Sequence, residues 1–457
     1  MPLNAVRNAS HTKIVEALEE LKSDNFLLSK WLSNNNVYKN DIIEVLKVEF
    51  RKKAPLVPRF YYKNLRHYTA ASMVLHNSDG WTFLARAVDS VLAGDIGSAV
   101  FFAYYAELRA LMSMFAGNGI CILDKPHLYI KRNGKAEKFC PTNGTHTAVL
   151  EVLKEWIKDN NRTNQLLNWI RVDNTSLQDW LTKSGRAFRI TYLAKDWLEK
   201  WSVDVTLLTN DHNTRNEVSY RPNTLSPERL NFDYKENILK VLSFLDCCEP
   251  SNSDSFYELD KHLLRISLES VFDSLPFGAS SSNGNRVKKS KAYKKDFEKF
   301  INPLLSNLGK SNTGFLKDFL IRNNEPEDPQ ILFEAKKPNF DKATNTYQPT
   351  PMISRALLLL RLASGNCESM LKESNIKKDD LEFWWGKYGN KHGFWSENNF
   401  PDDLKDAWAD LRDSLKNIRQ FCASENIVNI KSFEKIPSED ILRFKQINRV
   451  ALWGIGL

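Results

Sequence analysis

The chain has 457 residues, 64 of them Lys or Arg and 56 Asp or Glu, so its formal net charge is +8, and 42% of its residues are hydrophobic. These values exclude a chain that is mainly disordered, and at roughly 100 to 200 residues per domain they predict two or three domains. The longest apolar stretch, residues 99–116, contains Glu107 and Arg109, so the sequence predicts no membrane span.

Apolar residues recur at the spacing of an α-helix along most of the chain. This periodicity predicts helices over residues 14–27, 38–50, 81–92, 96–116, 147–157, 165–181, 188–201, 203–219, 234–247, 259–272, 293–308, 353–363 and 403–421. Strand patterns are few by comparison. The predicted fold class is therefore mainly α, with multi-helical bundle domains, a small β-hairpin and room for a small mixed α/β insert.

The hairpin is predicted from residues 121–130 and 136–139, which have strand character and flank the sequence Arg-Asn-Gly-Lys at 132–135. Asn-Gly favours the positive φ angles of a tight hairpin turn. A second pair of strands is predicted at residues 315–321 and 330–333.

The Gly/Ser-rich stretch near residue 280 is the clearest boundary in the sequence. We predict an N-terminal helical region at 1–80, a helical domain at 81–275, a flexible linker at 276–290 and a mainly helical domain at 291–457. A basic cluster begins in the linker and consists of Arg286, Lys288, Lys289, Lys291, Lys294 and Lys295. These side chains could neutralise the phosphates of a nucleic acid, and a solvated helix face is the alternative.

Polar residues interrupt the apolar pattern at three places in the predicted domain 81–275. The helix over 96–116 contains the sequence YYAELRAL at 104–111, in which Glu107 and Arg109 need partners if the helix is buried. The sequence GTHT at 144–147 is typical of a helix start. The sequence DHNTRNEVSYRP at 211–222 ends a helix, which its proline closes.

At these residues, and over roughly 81–248, the sequence resembles the HEPN superfamily, in particular its YaaC-like branch. HEPN domains are small helical domains of prokaryotic toxins, defence systems and RNA-processing proteins. In the catalytic members an Arg is followed a few residues later by a His, and the pair cuts RNA without a metal. The guanidinium would hold the scissile phosphate, and the imidazole would move the proton of the 2′-hydroxyl or of the leaving group.

In this sequence Arg215 and Asn216 match the HEPN pattern, but Ser219, Tyr220 and Arg221 stand where the histidine is expected. His212 precedes Arg215 by one helical turn and lies on the same face of a helix. The catalytic candidates are therefore Arg215, Asn216, Tyr220 and His212. Glu107, Arg109 and His146 are interpreted as structural, through a salt bridge between helices or a capping turn.

The HEPN resemblance implies a role in prokaryotic conflict or phage defence, with RNA binding or metal-independent RNA cleavage and no cofactor. It also implies a homodimer, because HEPN domains generally pair. Two readings without catalysis stay open: a domain that only binds or dimerises, and a non-catalytic scaffold for a partner protein. A plain helix terminus is a third interpretation of residues 211–222.

A second resemblance, to the PD-(D/E)xK nuclease core, rests on the sequence GFLKDFLIR at 314–322 and on ILFEAKKP at 331–338. It implies a DNA nuclease in which Asp318 and Glu334 bind Mg²⁺ and Lys336 activates water or stabilises the transition state. Acidic residues two positions before a lysine also occur by chance in a chain with 26% charged residues, and then mark an exposed turn.

Several common catalytic patterns are absent from the sequence. It contains no GxxxxGK[ST] phosphate loop, no GxGxxG after a strand, no HExxH and no GxSxG. The six cysteines form no CxxC pair, and the first residues lack the apolar centre of a signal peptide. From the last two features we predict a protein of the reducing cytoplasm.

Overall fold

The computed structural model describes residues 2–23, 57, 59–123, 126–139, 143–184, 204–220, 233–275, 290–310, 314–341, 346–395, 399–426 and 428–456. The helices predicted at 38–50 and 188–201 lie outside these ranges, as does the predicted linker apart from Ser290. The fold is mainly α-helical, which confirms the predicted fold class.

Most predicted helices in the described ranges are present. In chain order the helices are α1 (Pro2–Asn8), α2 (His11–Ser23), α3 (Tyr62–Leu92), α4 (Ile96–Gly117), α5 (Thr145–Lys158), α6 (Asn160–Trp169), α7 (Leu177–Lys183), α8 (Val205–Tyr220), α9 (Tyr234–Asp246), α10 (Tyr257–Asp273), α11 (Lys291–Asn307), α12 (Gly314–Leu320), α13 (Gln330–Glu334), α14 (Pro349–Glu373), α15 (Glu382–Lys391), α16 (Leu404–Ser424) and α17 (Ser438–Lys445). The helices predicted at 81–92 and 353–363 are parts of the longer α3 and α14, and α1, α15 and α17 were not predicted. Short 3₁₀ helices occupy Arg59–Tyr61, Asp379–Leu381, Ile430–Lys435 and Ile447–Ile455.

The centre of the fold is formed by α3, α4 and α14, which pack against one another. A Cβ atom on Gly80 of α3 would lie 2.5 Å from the Cδ2 atom of Leu360 on α14, so a larger residue at this position would require the Leu360 side chain to move. The Trp81 indole donates a hydrogen bond to Ser364 at 3.0 Å across the same contact. Because α14 follows the predicted linker and α3 and α4 precede it, helices on both sides share one core. The domain boundaries themselves stay predictions.

Helix α4 is the one described helix that is long and apolar enough to cross a membrane by length and composition. Its most apolar window is 78% buried within the fold, and it contacts α3 on one side and α14 on another. Its hydrophobicity is therefore explained by its place in the core.

The predicted hairpin is confirmed. Strand β2 (His127–Ile130) pairs with β3 (Ala136–Phe139) in antiparallel register, and Gly134 in the connecting turn has a φ of +75°. The predicted strand at 121–130 is not continuous, however. Its first part forms β1 (Ile120–Cys121), which folds back against β2 to make a three-stranded sheet.

The single helix predicted at 165–181 is wrong. Helix α6 ends at Trp169, and a small hairpin of β4 (Arg171–Val172) and β5 (Thr175–Ser176) separates it from α7. The turn between the strands has positive φ angles at Asp173 and Asn174, 51° and 60°, which Asp and Asn tolerate better than most residues. The prediction failed because the buried apolar residues on the two sides of the hairpin are spaced in the sequence as they would be in one continuous helix.

The strand pair predicted at 315–321 and 330–333 is also wrong, because both segments are helical, in α12 and α13. In α12 the buried residues are Leu316, Phe319 and Leu320, the spacing of one helical face. Apolar runs this short do not distinguish a helix from a strand by periodicity. The strands in this region are β6 (Phe340–Asp341) and β7 (Thr346–Tyr347), which pair further along the chain.

Candidate functional site

Helices α4, α5 and α8 meet at a cluster of polar and aromatic side chains. The face of α8 that points into the protein consists of Leu208, Asp211, Thr214 and Val218. His212 and Arg215 lie beside this face and are partly buried. Gly144 caps α5 in an extended conformation, so that His146 lies in the first turn of this helix. Residues far apart in the sequence therefore form one site.

His146 and His212 form a stacked pair, which we call the histidine pair. Their ring centroids are 5.2 Å apart with an interplanar angle of 16°. The ring of Tyr104 lies 5.5 Å from each of them, and the Tyr104 hydroxyl is 2.7 Å from Nδ1 of His146. Three rings that can each bind or transfer a proton are thus in mutual contact.

Burial holds the histidine pair in its neutral form. It lowers the pKa of His146 to about 4, with further contributions from the charge of Arg215 and from His212. Burial and Arg215 also lower the pKa of His212. The buried Tyr104 has a raised pKa, so its hydroxyl keeps its proton and can donate a hydrogen bond to Nδ1 of His146. In this arrangement the single N–H of the uncharged imidazole is on Nε2.

Arg215 is held over aromatic rings by a small hydrogen-bond network. Its guanidinium donates to the hydroxyl of Tyr105 and, at 2.7 Å, to Oδ1 of Asn216. Its charged carbon lies 5.0 Å from the Tyr105 ring centroid and 5.5 Å from that of Phe101. The Asn216 amide nitrogen faces Nε2 of His212 at 3.4 Å. Asn216 therefore connects the guanidinium to the histidine pair and orients both.

A buried ionic group lies beneath the site. Asp211, which is 1% exposed, accepts two hydrogen bonds of 2.7 Å from Arg355 of α14 and one of 2.7 Å from Asn339. Glu107 of α4 is also 1% exposed and lies 3.6 Å from Arg355. This group fixes α8 to α4 and α14, and with it the position of His212 and Arg215.

The two carboxyl groups beneath the site share one negative charge. Burial raises the pKa of Glu107 well above its usual range, and the neighbouring Asp211 raises it further. Burial also raises the pKa of Asp211, and the charge and hydrogen bonds of Arg355 oppose this rise. We therefore assign the proton to Glu107, which leaves one carboxylate opposite one guanidinium.

The structure brings together three of the four predicted catalytic residues: His212, Arg215 and Asn216. Tyr220, the fourth, is 80% exposed at the end of α8, and no contact within the described ranges joins it to the cluster. His146, for which a structural role was predicted, stacks against His212. The helix start at 144–147 was the one feature of the sequence that marked its position.

Of the two predicted salt-bridge residues in α4, only Arg109 forms an ion pair as a charged group, because Glu107 holds the proton that it would have to release. Glu107 faces Arg355, as described above. Arg109 lies 3.7 Å from Asp79 and 2.9 Å from Nδ1 of His76, both on α3. Arg109 has no described contact with the histidine pair, whereas Glu107 lines a small cavity together with Tyr104 and His146.

Two residues of the alternative nuclease site, Glu334 and Asp318, form hydrogen bonds with other side chains. Glu334 is 3% exposed and accepts hydrogen bonds from Lys240 at 3.3 Å, Lys337 at 2.7 Å and Thr350 at 3.0 Å. Asp318 accepts one from Asn323 at 3.3 Å, and Lys336 is exposed. In the described part of the chain, no three His, Cys, Asp or Glu residues are grouped as metal ligands.

The basic cluster is only partly described, since Arg286, Lys288 and Lys289 lie outside the described ranges. Lys291 and Lys295 are exposed in the first turns of α11. Lys294 donates to the Arg322 carbonyl at 2.7 Å and therefore connects α11 to the end of α12. Two of the three described lysines are thus accessible to a polyanion.

Comparisons with protein family models, with curated proteins and with solved structures find no match to this chain.

We expect acid to destabilise the protein through His146. Its pKa in the folded state is about 4, whereas an unfolded histidine titrates near about 6.5. Between these values the unfolded chain binds more protons, so the free energy of unfolding falls as the pH falls from about 6.5 to about 4. The variant His146→Gln should depend less on pH in this range, as measured by urea unfolding at several pH values. Equal pH dependence in the two proteins would contradict the neutral, buried imidazole.

Proposed function

We propose that this protein is a HEPN-like, RNA-directed protein of a prokaryotic conflict or phage-defence system, acting in the cytoplasm, and that it cleaves RNA without a metal at the histidine pair and Arg215. The observation that carries this proposal is the contact between His146 and His212 next to Arg215. The histidine missing after Arg215 in the sequence is replaced here by one imidazole from the preceding turn of α8 and one from α5.

The proposed reaction uses the 2′-hydroxyl of RNA as its nucleophile. A neutral imidazole accepts the hydroxyl proton while the 2′-oxygen forms a bond to phosphorus, and the bond from phosphorus to the 5′-oxygen breaks. The imidazolium formed in this way then gives that proton to the departing 5′-oxygen, so the histidine pair is neutral before and after the reaction. The Arg215 guanidinium stabilises the negative charge on the phosphate. DNA lacks the nucleophile and is not cleaved by this route.

Partly buried aromatic rings surround Arg215 and favour single-stranded RNA as the ligand. The ring centroids of Phe101 and Tyr105 are 4.8 Å apart, and that of Phe83 lies 5.3 Å from that of Tyr105. Arg86 lies 5.8 Å from the ring of Phe102 at the edge of the same surface. Unpaired bases stack on such rings and on guanidinium planes. The exposed lysines of α11 would add attraction to the phosphate backbone, and pairing of two chains is expected from the HEPN resemblance.

The proposal is tested by incubating the purified protein with labelled single-stranded RNA and DNA, each with Mg²⁺ and with EDTA. Cleavage of RNA in EDTA, with 2′,3′-cyclic phosphate ends and no cleavage of a 2′-deoxy substrate, is the expected result. Cleavage of DNA that requires Mg²⁺ would favour the alternative nuclease. RNA binding without cleavage would favour a non-catalytic domain, and neither binding nor cleavage would favour a scaffold for a partner protein.

A further inference from the structure

A polar cavity of about 260 Å³ lies at the opposite end of α5 from the histidine pair. Its walls are the junction of α1 and α2, the turn between β2 and β3, and the start of α6. The Ser10 amide donates to the Ile130 carbonyl at 2.8 Å, which holds the α1–α2 junction against the hairpin. Since α5 has 14 residues, it separates this cavity from His146 by about 20 Å, at 1.5 Å per residue.

Arg162 forms the base of the cavity and is only 8% exposed. Its guanidinium donates to the Val6 carbonyl at 3.1 and 2.9 Å, to the Ala9 carbonyl at 2.6 Å and to Oδ1 of Asn118 at 2.8 Å. All of these acceptors are uncharged. One of its five N–H groups has no acceptor among these four bonds.

The positive charge around the cavity exceeds the negative charge. Arg7 and Arg132 line its mouth with exposed side chains. The lining carboxylate, Asp159, accepts from the backbone amides of Asn161 and Arg162 at 3.0 and 3.1 Å, so it caps α6. Within the described ranges, no carboxylate oxygen lies within 4.0 Å, the limit for an ion pair, of a guanidinium nitrogen of these three arginines. Burial lowers the pKa of Arg162 although the charge of Asp159 opposes this shift, so a bound anion would stabilise the buried guanidinium.

The start of α2 adds hydrogen-bond donors. His11 and Thr12 line the cavity, and backbone amides in the first turn of a helix have no acceptor within that helix. The next amide, of Lys13, donates to the hydroxyl of Ser10 at 3.3 Å. The His11 ring is bound on its other side to Glu373, at 2.7 Å. Three guanidinium groups and a helix start thus surround one volume.

We propose that this cavity binds a dianionic phosphate group, either free phosphate or the phosphate of a small ester. Arg7 and Arg132 can present paired N–H groups to phosphate oxygens. Arg162 adds its charge and one remaining N–H, and three positive charges favour a dianion over a monocarboxylate. The cavity is smaller than the roughly 300 to 1,000 Å³ of sites for drug-sized ligands, which favours a small ester. This site is independent of the proposed RNA cleavage.

The test is isothermal titration of the full chain with inorganic phosphate, glycerol 3-phosphate, glycerol and acetate, at constant ionic strength. Phosphate and glycerol 3-phosphate should bind, while glycerol and acetate should not. Tighter binding of glycerol 3-phosphate identifies an ester as the ligand, and tighter binding of phosphate identifies the free ion. Absence of binding up to millimolar phosphate, or equal binding of acetate, would overturn the proposal.

Variants locate the site. Arg7→Gln and Arg132→Gln change exposed side chains and should each weaken phosphate binding by about tenfold or more, the loss expected for a hydrogen bond to a charged group. Lys135→Gln removes an exposed cation from the same hairpin turn, outside the cavity lining, and should leave the affinity within about twofold. If all three variants lost affinity for phosphate equally, the binding would depend on net charge alone, and the proposed site in the cavity would be wrong.

Discussion

Replacing Arg355 by methionine is expected to lower the free energy of unfolding by about 3–5 kcal/mol, the cost of leaving a buried charge without its partner. Asp211 would lose two hydrogen bonds of 2.7 Å, and the carbonyls of Ala335 and Lys337 would lose donors at 2.9 and 2.8 Å. The methionine side chain is long enough to fill most of the space that the arginine side chain occupied. Urea unfolding measures the loss, which should shrink at acidic pH because protonation neutralises Asp211.

The matched control for Arg355→Met is Arg412→Met. Arg412 lies on α16 with its side chain 51% exposed, 3.5 Å from Glu249, and exposed ion pairs contribute about 0–1 kcal/mol. The double variant Asp211→Leu, Arg355→Met should be more stable than the sum of the single losses predicts, because it leaves no unpaired charge. A loss for Arg355→Met no larger than that for Arg412→Met would contradict the buried ionic group.

Replacing Arg215 by alanine is expected to reduce RNA cleavage by about 10²- to 10³-fold, the typical cost of removing one donor that stabilises a transition-state charge. Arg215 is the cation adjacent to the histidine pair, and it also orients Asn216 at 2.7 Å. The measurement is the single-turnover rate on saturating RNA in EDTA, with the unfolding midpoint recorded to show that the fold is retained. Arg215→Lys keeps the charge but loses the paired N–H groups, and should recover only part of the rate.

Lys336→Ala is the control for Arg215→Ala, because Lys336 is exposed and belongs to the alternative nuclease site. We expect its RNA cleavage rate to stay within about twofold of the unaltered protein, as for a surface substitution. The reverse result, in which Lys336→Ala abolishes a Mg²⁺-dependent activity and Arg215→Ala does not, would reject the HEPN-like site.

The sequence determined most helices because each of them buries a face of regularly spaced apolar residues. Helix α4 was predicted at 96–116 and spans Ile96–Gly117, since almost every turn of it is buried. The same rule failed at 165–181, where apolar residues keep helical spacing across a hairpin. It failed again for α12 and α13, because apolar runs of a few residues fit both helices and strands.

Within the site, the sequence determined what one helix alone can fix. On α8, Arg215 and Asn216 follow His212 by three and four residues. Helical geometry alone therefore places the three side chains close together. Tyr220 was included for its chemistry, and its position in the tertiary structure leaves it 80% exposed.

Only the tertiary structure decided which residues meet α8. His146 joins His212, and Arg355 joins Asp211, through the packing of α5 and α14 against it, and no local pattern encodes these pairings. The cavity around Arg162 is likewise assembled from three separate segments. Side-chain periodicity reports which face of an element is buried, but the identity of its neighbours depends on how all buried faces fit together in one core.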